Sequence, residues 1–217
     1  MDIKNFNNNF QKLKYYFSRP LKYINIFFSS GKSLLSKTSK LKILQWKKLI
    51  SIFNEYNCKT LLEFGSGRST FFFLKNLDNL NEFLSINPNT EIKYTDICRE
   101  KYHLLDSKKN CKIVNTETKI ENIGSKTTIN FIYQFSNRYD LVYIDGPSKK
   151  MNGSDLIHNI LNGSIVSKIF FFDGRHDMVD EVVKMLKKNN ILYSLNNSVL
   201  LNYTVIKINK FILESHE

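Results

Sequence analysis

Leu61-Leu62-Glu63-Phe64-Gly65-Ser66-Gly67-Arg68-Ser69-Thr70 is the stretch on which the fold turns. An apolar run ends in an acid, two glycines stand two apart, and Ser-Thr then opens a hydrophobic helical pattern. Strand, tight turn and helix N-terminus in that order form a corner suited to a nucleotide-type ligand. Glycine lets the backbone bend sharply and approach a ligand closely. The N–H groups of a helix's first turn then face an anionic or polar group, and Ser69 and Thr70 are good capping residues for that helix. A strand–turn–helix corner with no ligand would carry the same pattern.

A dinucleotide fingerprint requires a third glycine three residues after the second. Position 70 is Thr, which disfavours a nicotinamide-dependent oxidoreductase. Glu63-x-Gly65-x-Gly67 instead resembles the first motif of class I S-adenosylmethionine-dependent methyltransferases. The resemblance implies that Glu63, Gly65, Ser66 and Gly67, with Ser69 and Thr70 beside them, hold the methionine end of S-adenosylmethionine. Those enzymes often have a third glycine where this chain has Ser69. The form Glu-Phe-Gly-Ser-Gly-x-Ser-Thr is similar to a subset found among small-molecule and surface-glycan methyltransferases.

Working outward, Tyr139-Asp140-Leu141-Val142-Tyr143-Ile144-Asp145-Gly146-Pro147 reads as a buried strand ending in Asp-Gly-Pro. This resembles the fourth motif of methyltransferases acting on small molecules, and not the Asn/Asp-Pro-Pro-aromatic motif of enzymes that methylate nucleic-acid amines. Ile169–Phe172 is another buried strand, followed by Asp173-Gly174-Arg175-His176-Asp177. Alternating strands and helices imply an open, mostly parallel sheet. Its acidic strand ends, Asp96, Asp145 and Asp173, should then share the carboxyl edge where such sheets bind ligands.

The expected architecture is α/β: a Rossmann-like methyltransferase fold with a mostly parallel seven-stranded sheet and a C-terminal antiparallel hairpin. Ser39 caps a helix to about Asn57, with Leu41, Leu44, Ile52, Phe53 and Tyr56 on one face and Trp46 packed on the sheet or on the N-terminal segment. Strand one is Thr60–Phe64, and a helix from Ser69 to about Leu84 keeps Leu74, Leu77, Leu80 and Leu84 in phase. Glu91–Asp96 alternates as strand two, which by the resemblance offers the Asp96 carboxylate to the ribose hydroxyls. Asp96 lies 31 residues beyond Gly65, against roughly 20 in dinucleotide folds, so Phe83–Asn87 stays open as the alternative strand, with Asn87 at its end. Cys111–Thr116 is strand three, and the resemblance sets Thr116 and Glu117 against the adenine edge. Residues 119–137 suggest a helix or a distorted connection. A short helix runs through Leu161, and a longer one turns Val179, Val182, Val183 and Leu186 inward. Ile191–Leu195 and Val199–Ile208, joined around Asn196-Asn197, form the closing hairpin.

Methyl transfer to a hydroxyl needs alignment and a way to manage the acceptor's proton or charge. Asp145 and His176 are the candidate bases; His titrates in the useful range. Arg175 is a candidate for a substrate carboxylate or phosphate, or for pairing with Asp145 or Asp177. Asp145 and Asp173 resemble the pair that binds a divalent cation such as Mg in catechol-type O-methyltransferases, but Gly174 stands where those enzymes have Asn. The expected activity is methylation of a small molecule, O-methylation of a sugar or glycan precursor being the specific form. N-methylation stays open.

The bulk composition agrees with one domain plus an extension. The chain has 217 residues, of which 42% are hydrophobic, and three unpatterned cysteines, Cys58, Cys98 and Cys111. That argues against a disulfide framework and a zinc site, and for a reducing compartment. No apolar run approaches the ~20 residues of a membrane span, so a cytoplasmic or membrane-peripheral protein is expected. Residues 1–50 hold eleven basic residues and one acid, ten of the twelve net positive charges. A basic, aromatic helical arm over 1–38 therefore precedes a catalytic-looking domain over 39–217. The arm either packs on the domain or contacts anionic lipid or an acidic partner. A catalytically inactive domain working through that arm is the alternative function. Nucleic acid has charge alone in its favour.

Overall fold

The computed structural model describes residues 39–91, 110–136, 138–147 and 154–210. The proposed arm and Asp96 lie outside them.

Helix α1 (Lys40–Glu55) begins at Ser39, whose Oγ accepts the Lys42 N–H at 3.2 Å. Strand β1 (Thr60–Phe64) leads through the glycine turn into α2 (Arg68–Asn76). Then come β2 (Glu82–Pro88), β3 (Cys111–Thr116), a hairpin of β4 (Thr118–Ile123) and β5 (Lys126–Phe131), and β6 (Arg138–Ile144). The chain closes with α3 (His158–Leu161), β7 (Val166–Asp173), α4 (His176–Lys188), β8 (Leu192–Ser198) and β9 (Tyr203–Lys210).

Seven strands make one sheet in the order β3-β2-β1-β6-β7-β9-β8, parallel except for β9, which runs antiparallel to both β7 and β8. The expected α/β architecture with its antiparallel C-terminal hairpin is therefore present. Side chains alternate across the strands, and two cores result. Leu61, Phe83, Leu141, Tyr143, Ile169 and Phe171 face α1 and α2. Leu62, Leu84, Val142, Ile144, Phe170 and Phe172 face α4, α3 and β5. Burying each such side chain is worth about 1.5–3 kcal/mol, so the central strands hold the carboxyl edge rigidly.

Four expectations need correction. Strand two is Glu82–Pro88, and α2 stops at Asn76 rather than continuing to Leu84. This is the alternative Phe83–Asn87; residues 83–88 are all buried, and a strand covered on both faces shows no alternation, while Ile92, Tyr94 and Asp96 lie outside the described residues. Residues 118–131 form the β4–β5 hairpin, a separate two-stranded sheet turning at Gly124, not a helix. The last hairpin turns over Val199–Asn202, while Asn196 and Asn197 pair within β8. On α1 the buried residues are Gln45, Trp46, Leu49, Ile52 and Phe53, whereas Leu44 and Tyr56 are exposed.

Candidate active site at the carboxyl edge

The two motifs singled out in the sequence meet. Gly65 has φ +102°, and a Cβ built on it would stand 2.7 Å from Gly146 N. A Cβ on Gly146 would stand 2.8 Å from Gly65 Cα. The main chains of the β1 and β6 ends thus pack directly on each other, and Asp145 N and Gly146 N both donate to Phe64 O, at 3.0 and 2.7 Å. A Cβ on Gly67 would meet no atom of the described residues within 4 Å.

Glu63 is fully buried beneath this turn. Its carboxylate accepts from Ser69 Oγ at 2.6 Å, Thr70 Oγ1 at 2.5 Å and Ser85 Oγ at 2.6 Å. With Glu63 ionised, Ser85 gives its one proton to it, and Ser66 Oγ is then the donor in the 2.7 Å contact with Ser85 Oγ. Burial raises the Glu63 carboxyl to about 7, the hydroxyls of Ser69, Ser85 and Thr70 pull it down, and Asp145 adds a smaller upward push. Thr70 Oγ1 also accepts the Gly67 N–H at 2.8 Å, and Asn87 Oδ1 accepts the Ser66 N–H at 2.8 Å. Glu63, Ser69, Thr70, Ser85 and Asn87 together fix the backbone of the glycine turn. Asn87, at the end of β2, is fully buried.

Asp145 and Asp173 also come together, at the ends of neighbouring parallel strands whose residues Ile144 and Phe172 are in register. Between them stands Lys42 of α1, its Nζ bonded to Asp173 Oδ2 and 3.8 Å from Asp145 Oδ1. Tyr143 donates its hydroxyl proton to Asp173 Oδ2 at 2.9 Å and accepts from Trp46 Nε1 at 3.1 Å. Burial first of all, then the Asp145 charge, holds the Tyr143 hydroxyl well above its ordinary value, so it stays a donor. Among the described residues no group of three or more His, Cys, Asp or Glu side chains could hold a metal ion. With an ammonium group already between the two carboxylates, the pair does not fit Mg.

Arg175 turns back onto the β6 loop. Its guanidinium donates to the main-chain oxygens of Pro147, at 2.9 Å, and Asp145, and lies 3.6 Å from Asp155 Oδ2. His176 is exposed as the first residue of α4. Thr116 is buried with its hydroxyl on Ile132 O, and the neighbouring Glu117 is exposed.

Lys42, Tyr143 and Ser85 escaped the sequence reading. Lys42 counted there only as part of the basic N-terminal charge, although helical phase sets it four residues before Trp46 and seven before Leu49 on the inward face. Ser85, a lone hydroxyl inside an apolar strand, was the other available signal.

No protein-family model and no curated protein matches the chain. Solved structures do. The methyltransferase domain of bacterial CtHen1-C is 8% identical with a TM-score of 0.52, covering 79% of this chain and 100% of that one. The corresponding domain of CtHen1-CN is 9% identical with a TM-score of 0.51, over 78% and 100% of the two chains. A human methyltransferase 10 domain containing protein is 13% identical with a TM-score of 0.49, over 76% and 82%. The two bacterial comparisons establish the fold: this chain is built as a methyltransferase domain is built.

Proposed function

We propose that the protein is an S-adenosylmethionine-dependent methyltransferase acting on a small molecule, with O-methylation of a sugar or glycan precursor as its reaction. The observation that carries this is the joint between Gly65 and Gly146, which brings the Glu-x-Gly-x-Gly turn and the Asp-Gly-Pro strand end together at one point of the carboxyl edge. In a parallel α/β sheet that edge is the ligand-binding side.

The residues fit such a cofactor at the turn, where a glycine at 67 lets the main chain at the N-terminus of α2 be approached closely. Gly65, Ser66 and Gly67 would hold the methionine end, with Glu63, Ser69 and Thr70 keeping their main chain in place. With strand two at Glu82–Pro88, the ribose position passes from Asp96 to Asn87 near the end of β2, and Thr116 and Glu117 are assigned to the adenine side. The bound cofactor supplies a methyl group already activated on a sulfonium, so the chain's part is to align an acceptor oxygen and receive its proton. Asp145, whose side chain is 37% exposed, is the proposed base, with His176 as the second candidate. Arg175 holds the loop that carries Asp145.

Titration calorimetry with S-adenosylhomocysteine tests the assignment. One molecule bound per chain is the expected result; a folded sample giving no heat at millimolar ligand refutes it.

A further inference from the structure

We propose that Lys42 Nζ is the resident cation of the acidic strand ends, so that no divalent metal binds at Asp145 and Asp173. As a statement about catalysis, this rests on the methyltransferase reading; as a statement about the site, it does not. Two carboxylates on adjacent strand ends repel each other and need a proton, a metal or an ammonium group between them. Here α1 delivers the ammonium. Lys42 reaches both acids, and Trp46, one turn later, bonds the Tyr143 hydroxyl that in turn donates to Asp173. Asp173, with only 7% of its side chain exposed, is the member that cannot rely on water for its charge, and it is the one Lys42 bonds.

Among the described residues the donor set is also wrong for a divalent ion. Mg requires near-octahedral oxygen ligation. Gly174, next to Asp173, offers no side-chain donor, and a fixed positive charge already stands between the two acids.

The test needs no variant to begin. The full chain is titrated with manganese(II), and free ion is followed by its paramagnetic resonance signal. No uptake at millimolar manganese, and S-adenosylhomocysteine affinity unchanged by EDTA, are expected. One manganese retained per chain, and lost in Asp173→Asn, overturns the proposal. Melting curves of Lys42→Met, Asp173→Asn and the double variant give a second measure. Each single change should lower Tm, and the double change should lower it by clearly less than the two together; additive losses also overturn it. Manganese uptake would leave the methyltransferase assignment standing, whereas failure to bind S-adenosylhomocysteine would sink that assignment and leave the Lys42 site standing.

Discussion

Gly65 and Gly146 are in main-chain contact: neither has room for a side chain because the other fills it. Gly65→Ala adds a positive-φ penalty to that clash, and a loss of more than about 2 kcal/mol is expected. Gly146→Ala should cost a similar amount through the clash alone. Gly67→Ala meets no atom of the described residues within 4 Å and should cost about 1 kcal/mol or less as a cap change, while lowering S-adenosylhomocysteine affinity at least tenfold. Urea denaturation beside calorimetry separates the two classes. If Gly67→Ala binds like the parent chain, the ligand does not approach that face of the turn.

Glu63 makes stability depend on pH in a direction opposite to the usual carboxylate. The unfolded group titrates near 4.5 and the folded one near 7. Between those values the native chain holds a proton that the unfolded chain lacks, so the contribution is fully present below 4.5 and lost as pH rises through 7. The interval corresponds to about 3 kcal/mol. Denaturation at pH 5 and pH 7.5 should show Glu63→Gln with a flatter dependence than the parent. An unchanged slope would mean that Glu63 is ionised throughout.

Asn159 ties the β4–β5 hairpin to the domain. Its Oδ1 accepts the Phe131 N–H at 2.8 Å, and its Nδ2 donates to Asn130 Oδ1 at 2.8 Å and Phe131 O at 3.2 Å. Asn159→Ala leaves the Phe131 amide buried without that acceptor, which should cost about 1–3 kcal/mol. Hydrogen exchange should quicken at Phe131 and across β5 while β1 and β6 stay protected. Uniform loss of protection would show that the hairpin does not open on its own.

Among the described residues, the buried side-chain amide nitrogen of Gln45 has no hydrogen-bond partner. Replacing such a group by an apolar one of similar size is neutral or stabilising, so Gln45→Leu should raise stability by up to about 2 kcal/mol. A drop in melting temperature would indicate a bond formed by that amide in solution.

Much of the frame was legible because single residues announce it. β1 and β3 follow from apolar runs with sharp ends, and Ser39 marks the start of α1. The glycine turn and Asp-Gly-Pro pointed to one site, and the fold joins them. What stayed hidden depends on contacts between distant segments. β2 is covered on both faces, so its sequence lacks a period, and the preceding leucines mimic a longer helix. β4 is largely exposed, and its polar Lys119 and Glu121 masked the strand. Lys42 sits among surface-like lysines, and only the convergence of two strand ends 103 and 131 residues later gives it a role.

The bond from Trp46 to Tyr143, and on from Tyr143 to Asp173, has a practical consequence. Trp46 is the chain's single tryptophan, so all of its indole emission originates two hydrogen bonds from a carboxylate at the mouth of the site. The protein therefore contains its own optical gauge: in an unlabelled sample, excited selectively at the indole band, a molecule arriving at that mouth is expected to change the fluorescence.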